Sequence, residues 1–372
     1  MSAVADTAGG TARRAALPRL VFLAPAGVAL LAGLDAALLL LGVPAPVRVD
    51  RLPEIHGMLM VLGFVGTLIA LERAVAYRQP VALVAPALLG LSVMLLLSPV
   101  PVVVGKGLLV AGAAALVVLY VPLWRRQRDT AVLVQALGAV LALGAAGLWL
   151  GGVTIPMLLP WLVGFVVLTI CGERVELARL SLGSRVGGTT LLLACALLGG
   201  VVAALLWPTS GTALLSLALL TLTWWLAGHD VARHTIRSSG LPRYTAICML
   251  AAYGWLGVAS AIWLVGGPAG DGARYDAVVH AVFLGFTLSM IMAHAPVILP
   301  AVLRRPLPYR PVLLGPVALL HASIAVRLWL GDGLGSHIAW VTGGVLNVAA
   351  VVLFVAVAIW STTRRAKVGV AQ

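Results

Sequence analysis

Charge is what this chain has least of. Asp and Glu together number 12 and Lys and Arg 25, so charged residues make up 10 % of 372 positions. That is too few to cover the surface of a water-soluble fold of this length. Cysteine is nearly absent. Cys171, Cys195 and Cys248 show no CxxC spacing, which excludes a disulfide framework and a thiolate metal cluster and leaves inert thiols packed in apolar surroundings. Long polar stretches are also missing, so there is no room for a soluble domain. Residues 1–18 form a polar tail, and no small-residue cleavage site follows the first apolar run, so that run reads as a retained span.

What is there is hydrocarbon. Hydrophobic residues reach 62 % and mean hydropathy is +1.09. A bilayer-spanning helix needs about 20 apolar residues. Runs of that kind lie at 19–43, 55–77, 81–99, 102–123, 130–150, 154–172, 188–207, 211–229, 243–265, 276–303, 311–330 and 337–361. The expected fold class is therefore all-α, a polytopic membrane protein of about 12 transmembrane helices whose main partner is the lipid bilayer. With the N-terminus in the cytoplasm, twenty of the 25 Lys and Arg fall on the cytoplasmic side and five outside, the pattern of the positive-inside rule. Both termini are then cytoplasmic, the C-terminal tail being 362–372. The formal charge of +13 is explained without a nucleic-acid partner. The expected location is a bacterial-type inner (plasma) membrane.

An internal repeat organises the runs. Gly63-Phe64 precedes Glu72, Gly164-Phe165 precedes Glu173, and Gly285-Phe286 precedes His294, each polar residue following its glycine by nine positions. The three strings fall in spans 2, 6 and 10. This predicts three four-helix units, about 19–123, 130–229 and 243–361, around a pseudo-threefold axis.

Residues 276–303 carry the most chemistry. His280 and His294 lie fourteen residues apart in an apolar run. On a regular helix that is about 21 Å, and the two share a face. An ionisable residue inside a span is a functional candidate. His56, followed by Gly57, opens span 2 at nearly the depth of His280. Two imidazoles at one level on facing helices, with a small residue beside one of them, suit the axial ligation of a haem. Deeper, His294 and His321 meet near mid-membrane if their helices are neighbours, a pair that suits copper or a second haem. Hydrogen-bonded structural histidines are the other reading. Glu72 and Glu173 share the repeat position of His294 and form a polar layer with it, or each pairs with a neighbouring arginine at a helix end. Asp35 in span 1 orients a histidine or relays protons, or it is a capped or locally hydrated residue near the interface. Arg48 and Arg51 in the first loop pair with anionic groups such as haem propionates or stay solvated. His337, at the start of span 12, caps a haem or faces water. His229 and His234 read as solvated.

Twelve helices in a threefold pseudo-repeat, with His-Gly-Met-Leu-Met at 56–60 opening helix 2 and histidine in helix 10, resemble subunit I of haem–copper oxidases. The Gly-Glu-Arg-Val run at 172–175 and the helix HAVFLGFTLSMIMAHAPVILP look closer to NnrS-type haem and copper membrane proteins linked to nitric-oxide tolerance. The resemblance implies that His56 and His280 bind a low-spin haem b, with copper at a deeper site. Nitric oxide or respiratory redox metabolism follows as the setting, with a quinol or a cytochrome as electron donor and an oxidoreductase acting on nitric oxide as the candidate activity. The copper motifs His-Pro-Glu-Val-Tyr and His-His are absent, and span 6 has no histidine, so a dioxygen-reducing centre does not carry over. The competing class is a cation, proton or metal transporter, with Glu72, Glu173 and His294 lining a pseudo-threefold path.

Overall fold

The computed structural model describes the backbone of residues 3–177, 185–303 and 307–363, and side chains within 21–177, 186–300 and 307–363. Among these there is helix and no strand. Twelve helices are long and apolar enough to cross a membrane: α1 (Val21–Leu40), α2 (Arg51–Tyr77), α3 (Pro80–Leu97), α4 (Val102–Gln127), α5 (Thr130–Leu150), α6 (Ile155–Leu177), α7 (Val186–Leu206), α8 (Pro208–His229), α9 (Gly240–Gly266), α10 (Gly272–Pro300), α11 (Pro311–Gly333) and α12 (His337–Thr363). The chain is a multi-pass membrane protein. Most of the expected spans are recovered to within a few residues, and α2 and α10 each begin four residues earlier. The helical backbone containing α1 starts at Ala3, so residues 3–18 continue that helix. Residues 364–372 of the C-terminal tail, and with them Arg364, Arg365 and Lys367, lie outside the described residues, as do Arg179, Arg304 and Arg305.

Lipid tails are as apolar as leucine, so what gathers these helices is close packing and buried polar contact. Consecutive helices pack on one another, and α12 returns to α1. Three helices lie deepest. In their most apolar stretch, 72 % of the residues of α2, 72 % of α6 and 61 % of α10 are buried, and no other helix exceeds 56 %. These are the three that carry the Gly-Phe string. α10 touches α1, α2, α6, α9 and α11. Its approach to α9 depends on Gly285, where a Cβ would run into the Trp255 side chain.

Two of the deep helices share a departure from α-geometry. Leu59–Gly66 in α2 and Ala281–Leu288 in α10 are π-helical. Gly63-Phe64 and Gly285-Phe286 occupy the same two positions within these eight-residue stretches. α6 is α-helical throughout Ile155–Leu177, and a third π stretch, Val326–Gly333, ends α11. Such wide turns are rare and concentrate at functional sites. The regular-helix phase that relates His280 to His294 therefore does not hold, because an eight-residue stretch of wider turns separates them.

Polar side chains close the ends of the bundle. The Arg51 guanidinium, on the first residue of α2, reaches the Leu96, Ser98 and Val100 carbonyls at the end of α3 and in the α3–α4 turn, so it ties the start of α2 to that turn. Asp35 is buried and its Oδ1 accepts the Val47 N–H at 3.1 Å, which clips the first loop back onto α1. Cys171 and Cys248 are buried, whereas Cys195 is exposed on α7, against the expectation of three buried thiols. His229 and His234 are exposed in the α8–α9 region.

Candidate functional site: two chambers between α1, α2, α6, α10 and α12

The helices enclose two stacked cavities. The first, of about 440 Å³, is lined by His56, Gly57 and Met60 from α2 and by Asp276, His280 and Phe283 from α10, with further walls from α1, α6, α11 and α12. The second, of about 370 Å³, is lined by Glu72, Glu173 and His294 among apolar residues of α1, α2, α6, α10 and α12. Leu30, Phe64, Val65, Thr287, Ile291 and Val351 border both. The first is called here the histidine chamber and the second the carboxylate chamber.

In the histidine chamber each imidazole is fixed through one nitrogen. His56 sits one turn into α2, and its Nδ1 lies 3.0 Å from the Gly33 carbonyl of α1. His280 Nδ1 lies 2.8 Å from the Asp276 carbonyl one turn back and 3.3 Å from the Asp276 carboxylate. A carbonyl only accepts, so each Nδ1 carries the hydrogen and each Nε2 keeps a lone pair. Among the described residues no hydrogen bond engages either Nε2. Behind His280 stands a second layer. Arg327 of α11 donates to Asp276 from Nε at 2.8 Å and from Nη2 at 2.7 Å, and its guanidinium lies 4.6 Å from the Trp340 ring centroid. A histidine oriented by a carboxylate that is itself anchored is the usual support of a metal-binding imidazole.

The carboxylate chamber brings the repeat's three polar residues to one cavity. Each also has a partner or a close neighbour of its own. Arg73 donates to Glu72 at 2.7 Å, to Glu176 at 3.1 Å and to Gln135 at 3.0 Å, and Glu173 lies 3.7 Å away. Gln135 in turn donates to Glu176 at 2.9 Å. His294 Nδ1 donates to the Met290 carbonyl at 2.7 Å, and its Nε2 accepts from Arg174 at 3.1 Å. Arg174 also holds Asp230 through two bonds of 3.0 and 3.1 Å, and Tyr253 donates to the same carboxylate at 2.7 Å.

The remaining candidates sit elsewhere. His321 accepts the Trp255 indole N–H at 2.9 Å and lines neither chamber. The proposed pairing of His294 with His321 has no geometric support, because both ring nitrogens of His294 are occupied by other partners. His337 is exposed, packs against Trp340 with ring centroids 5.9 Å apart, and lines a shallow surface depression together with Tyr275, Asp276 and Asp332. Among the described residues no group of three His, Cys, Asp or Glu side chains is placed to hold a metal ion.

Sequence reasoning missed Arg327, Trp340 and Asp230. Asp276 carried a usable signal, since it precedes His280 by one helical turn.

No curated protein and no solved structure matches this chain. Residues 19–363 match the family model described as "Domain of unknown function (DUF8744)". That match runs from the start of the first span to the end of the last, and the chain belongs to the DUF8744 family.

Proposed function

We propose that the protein binds haem b in the histidine chamber, with His56 and His280 as the two axial ligands, and works in nitric oxide or respiratory redox metabolism. One observation carries the reading. Two imidazoles from different central helices line one apolar chamber, each with Nδ1 anchored on a carbonyl and Nε2 unengaged. The residues fit the group. Gly57 lets α2 pack closely on Ile155 of α6 beside His56, Met60, Phe64 and Phe283 supply apolar walls, and Arg327 borders the chamber as a cation. Neutral imidazole with a hydrogen-bonded Nδ1 is a strong axial donor. Iron held by two histidines transfers single electrons and has no open position for a gas, so the group would supply electron transfer. The chain's own residues do the rest: Gly33 and Asp276 set the tautomer, Arg327 fixes Asp276, and the apolar walls exclude water. The resemblance to NnrS-type proteins supports the metabolic setting. A copper site at His294 and His321 does not form part of the proposal.

The test is a reduced-minus-oxidised absorption spectrum of detergent-purified protein. A Soret band that sharpens on reduction and is lost in His56→Ala and in His280→Ala is the expected result. A second reading, a proton or cation path, draws on Glu72, Glu173 and His294 lining one chamber. A colourless, folded protein that conducts protons in vesicles would favour it.

A further inference from the structure

We propose that the carboxylate chamber is a binding pocket, entered sideways from the bilayer between α1 and α12, for a neutral lipid-borne ring bearing hydroxyl groups, of the hydroquinone class. The choice of a hydroquinone among hydroxylated rings rests on the haem reading above; the pocket and its mouth do not.

The mouth is seen in how α1 and α12 run. Near the histidine chamber they touch: a Cβ on Gly344 of α12 would come within 2.7 Å of the Leu41 methyl groups that follow α1. Along the carboxylate chamber they part. Gly27 of α1 is exposed, a Cβ there would meet nothing within 4 Å among the described residues, and Gly27 lines the chamber. Ile359 of α12 lines it too and is 60 % exposed. Residues that both line a cavity and lie exposed on a membrane helix mark an opening to lipid. The rim is apolar, formed by Leu23, Gly27, Val355 and Ile359, so what enters comes from hydrocarbon.

The far end asks for hydrogen-bond donors. Glu173 Oε1 is buried without a hydrogen-bond partner, with the Arg73 guanidinium 3.7 Å away, so a donor placed beside it makes a hydrogen bond that the fold leaves unmade. Glu72 spends Oε1 on Arg73, and no described residue engages its Oε2. Three carboxylates, Glu72, Glu173 and Glu176, gather around the single guanidinium of Arg73. Among the described residues, that excess of negative charge turns away phosphate headgroups and carboxylate ligands. A free ammonium would satisfy the acceptors, but an apolar rim penalises a charge in transit. A neutral O–H satisfies both requirements. A volume of about 370 Å³ is within the range of small-molecule pockets and holds a ring, with the tail left in the mouth. Phe64, Val65 and Thr287 separate such a ring from the histidine chamber, which suits a lipid-borne electron donor.

Photolabelling tests this. Full-length protein in nanodiscs of neutral phospholipid is illuminated with an azido-ubiquinol of short isoprenoid tail, kept reduced under argon, and labelled peptides are mapped by mass spectrometry. The expected labels fall on residues 22–30 and 355–362 and are competed by ubiquinol, not by its dimethyl ether, which lacks the O–H groups. Gly27→Phe, whose ring would fill the mouth without meeting a packed neighbour, takes labelling to background, while Gly27→Ala leaves it unchanged. Glu72→Gln weakens it about tenfold, the loss of one charge-assisted hydrogen bond. Undiminished labelling in Gly27→Phe, or equal competition by the dimethyl ether, overturns the proposal. Haem-free protein, made under haem starvation, labels as well as the loaded form. Labelling without a Soret band would sink the haem reading and leave the pocket standing. A Soret band with no labelling would sink the pocket alone.

Discussion

Arg327 grips Asp276 with both arms of its guanidinium, Nε to Oδ2 at 2.8 Å and Nη2 to Oδ1 at 2.7 Å. The pair joins α11 to α10 behind His280. Both side chains are largely buried, at 6 % and 17 % exposure, so removing one partner leaves the other as an uncompensated charge. Arg327→Ala is expected to cost about 3–5 kcal/mol, read as a lowered unfolding midpoint in nanodiscs. Arg327→Lys recovers only part of it, because an ammonium cannot make the two-armed contact.

The same carboxylate orients a candidate ligand. Asp276→Asn keeps the backbone carbonyl that holds His280 Nδ1 and removes the negative charge beside it. Haem affinity is expected to fall about tenfold to a hundredfold, the usual effect of losing a supporting carboxylate. A haem-transfer assay against apomyoglobin measures it.

At the other end of the bundle, Asp230 is buried at 6 % exposure and holds Arg174 of α6, while Tyr253 of α9 donates to it. Asp230→Ala strands the guanidinium and costs about 3–5 kcal/mol. Tyr253→Phe removes one hydrogen bond to an anion and costs about 1.5–3 kcal/mol. Thermal unfolding separates the two, with the aspartate variant the weaker.

Packing gives a contrast between two glycines. Gly285 lies against Trp255, whereas a Cβ on Gly27 meets nothing within 4 Å among the described residues. Gly285→Ala forces the indole to move and costs about 1–3 kcal/mol, whereas Gly27→Ala changes stability by less than about 0.5 kcal/mol. Equal midpoints for the two variants would contradict the α9–α10 contact.

His294 and His321 spend ring nitrogens on protein partners. Neither His294→Ala nor His321→Ala is expected to lower bound haem. Iron analysis of the purified variants checks this, and a loss of iron comparable to that in His56→Ala would contradict it.

The twelve spans were legible because hydropathy and length alone define a membrane helix. The joint presence of His56 and His280 at one chamber was legible from their matching depth, since both helices start at the same face. The shared chamber of Glu72, Glu173 and His294 was legible from their common position in the Gly-Phe string. The π-helical stretches were not legible: nothing in LMVLGFVG or AVFLGFTL distinguishes a wide turn from a regular one, and the choice is made by tertiary packing. Arg327 could not be assigned because its partner is 51 residues away, a separation without local signature. Asp230 could not be singled out because a loop's burial depends on which helix end folds over it, here α6 through Arg174.

The ratio of haem to protein tests the central claim most directly. Full-length protein titrated with haem in nanodiscs is expected to saturate at one haem per chain, with a low-spin ferric spectrum, and His56→Ala and His280→Ala each abolish that saturation while the unfolding midpoint of the haem-free protein stays within about 1–3 kcal/mol of the parent. Saturation at one haem per chain in the double variant, or no stoichiometric binding by the parent protein, would contradict it.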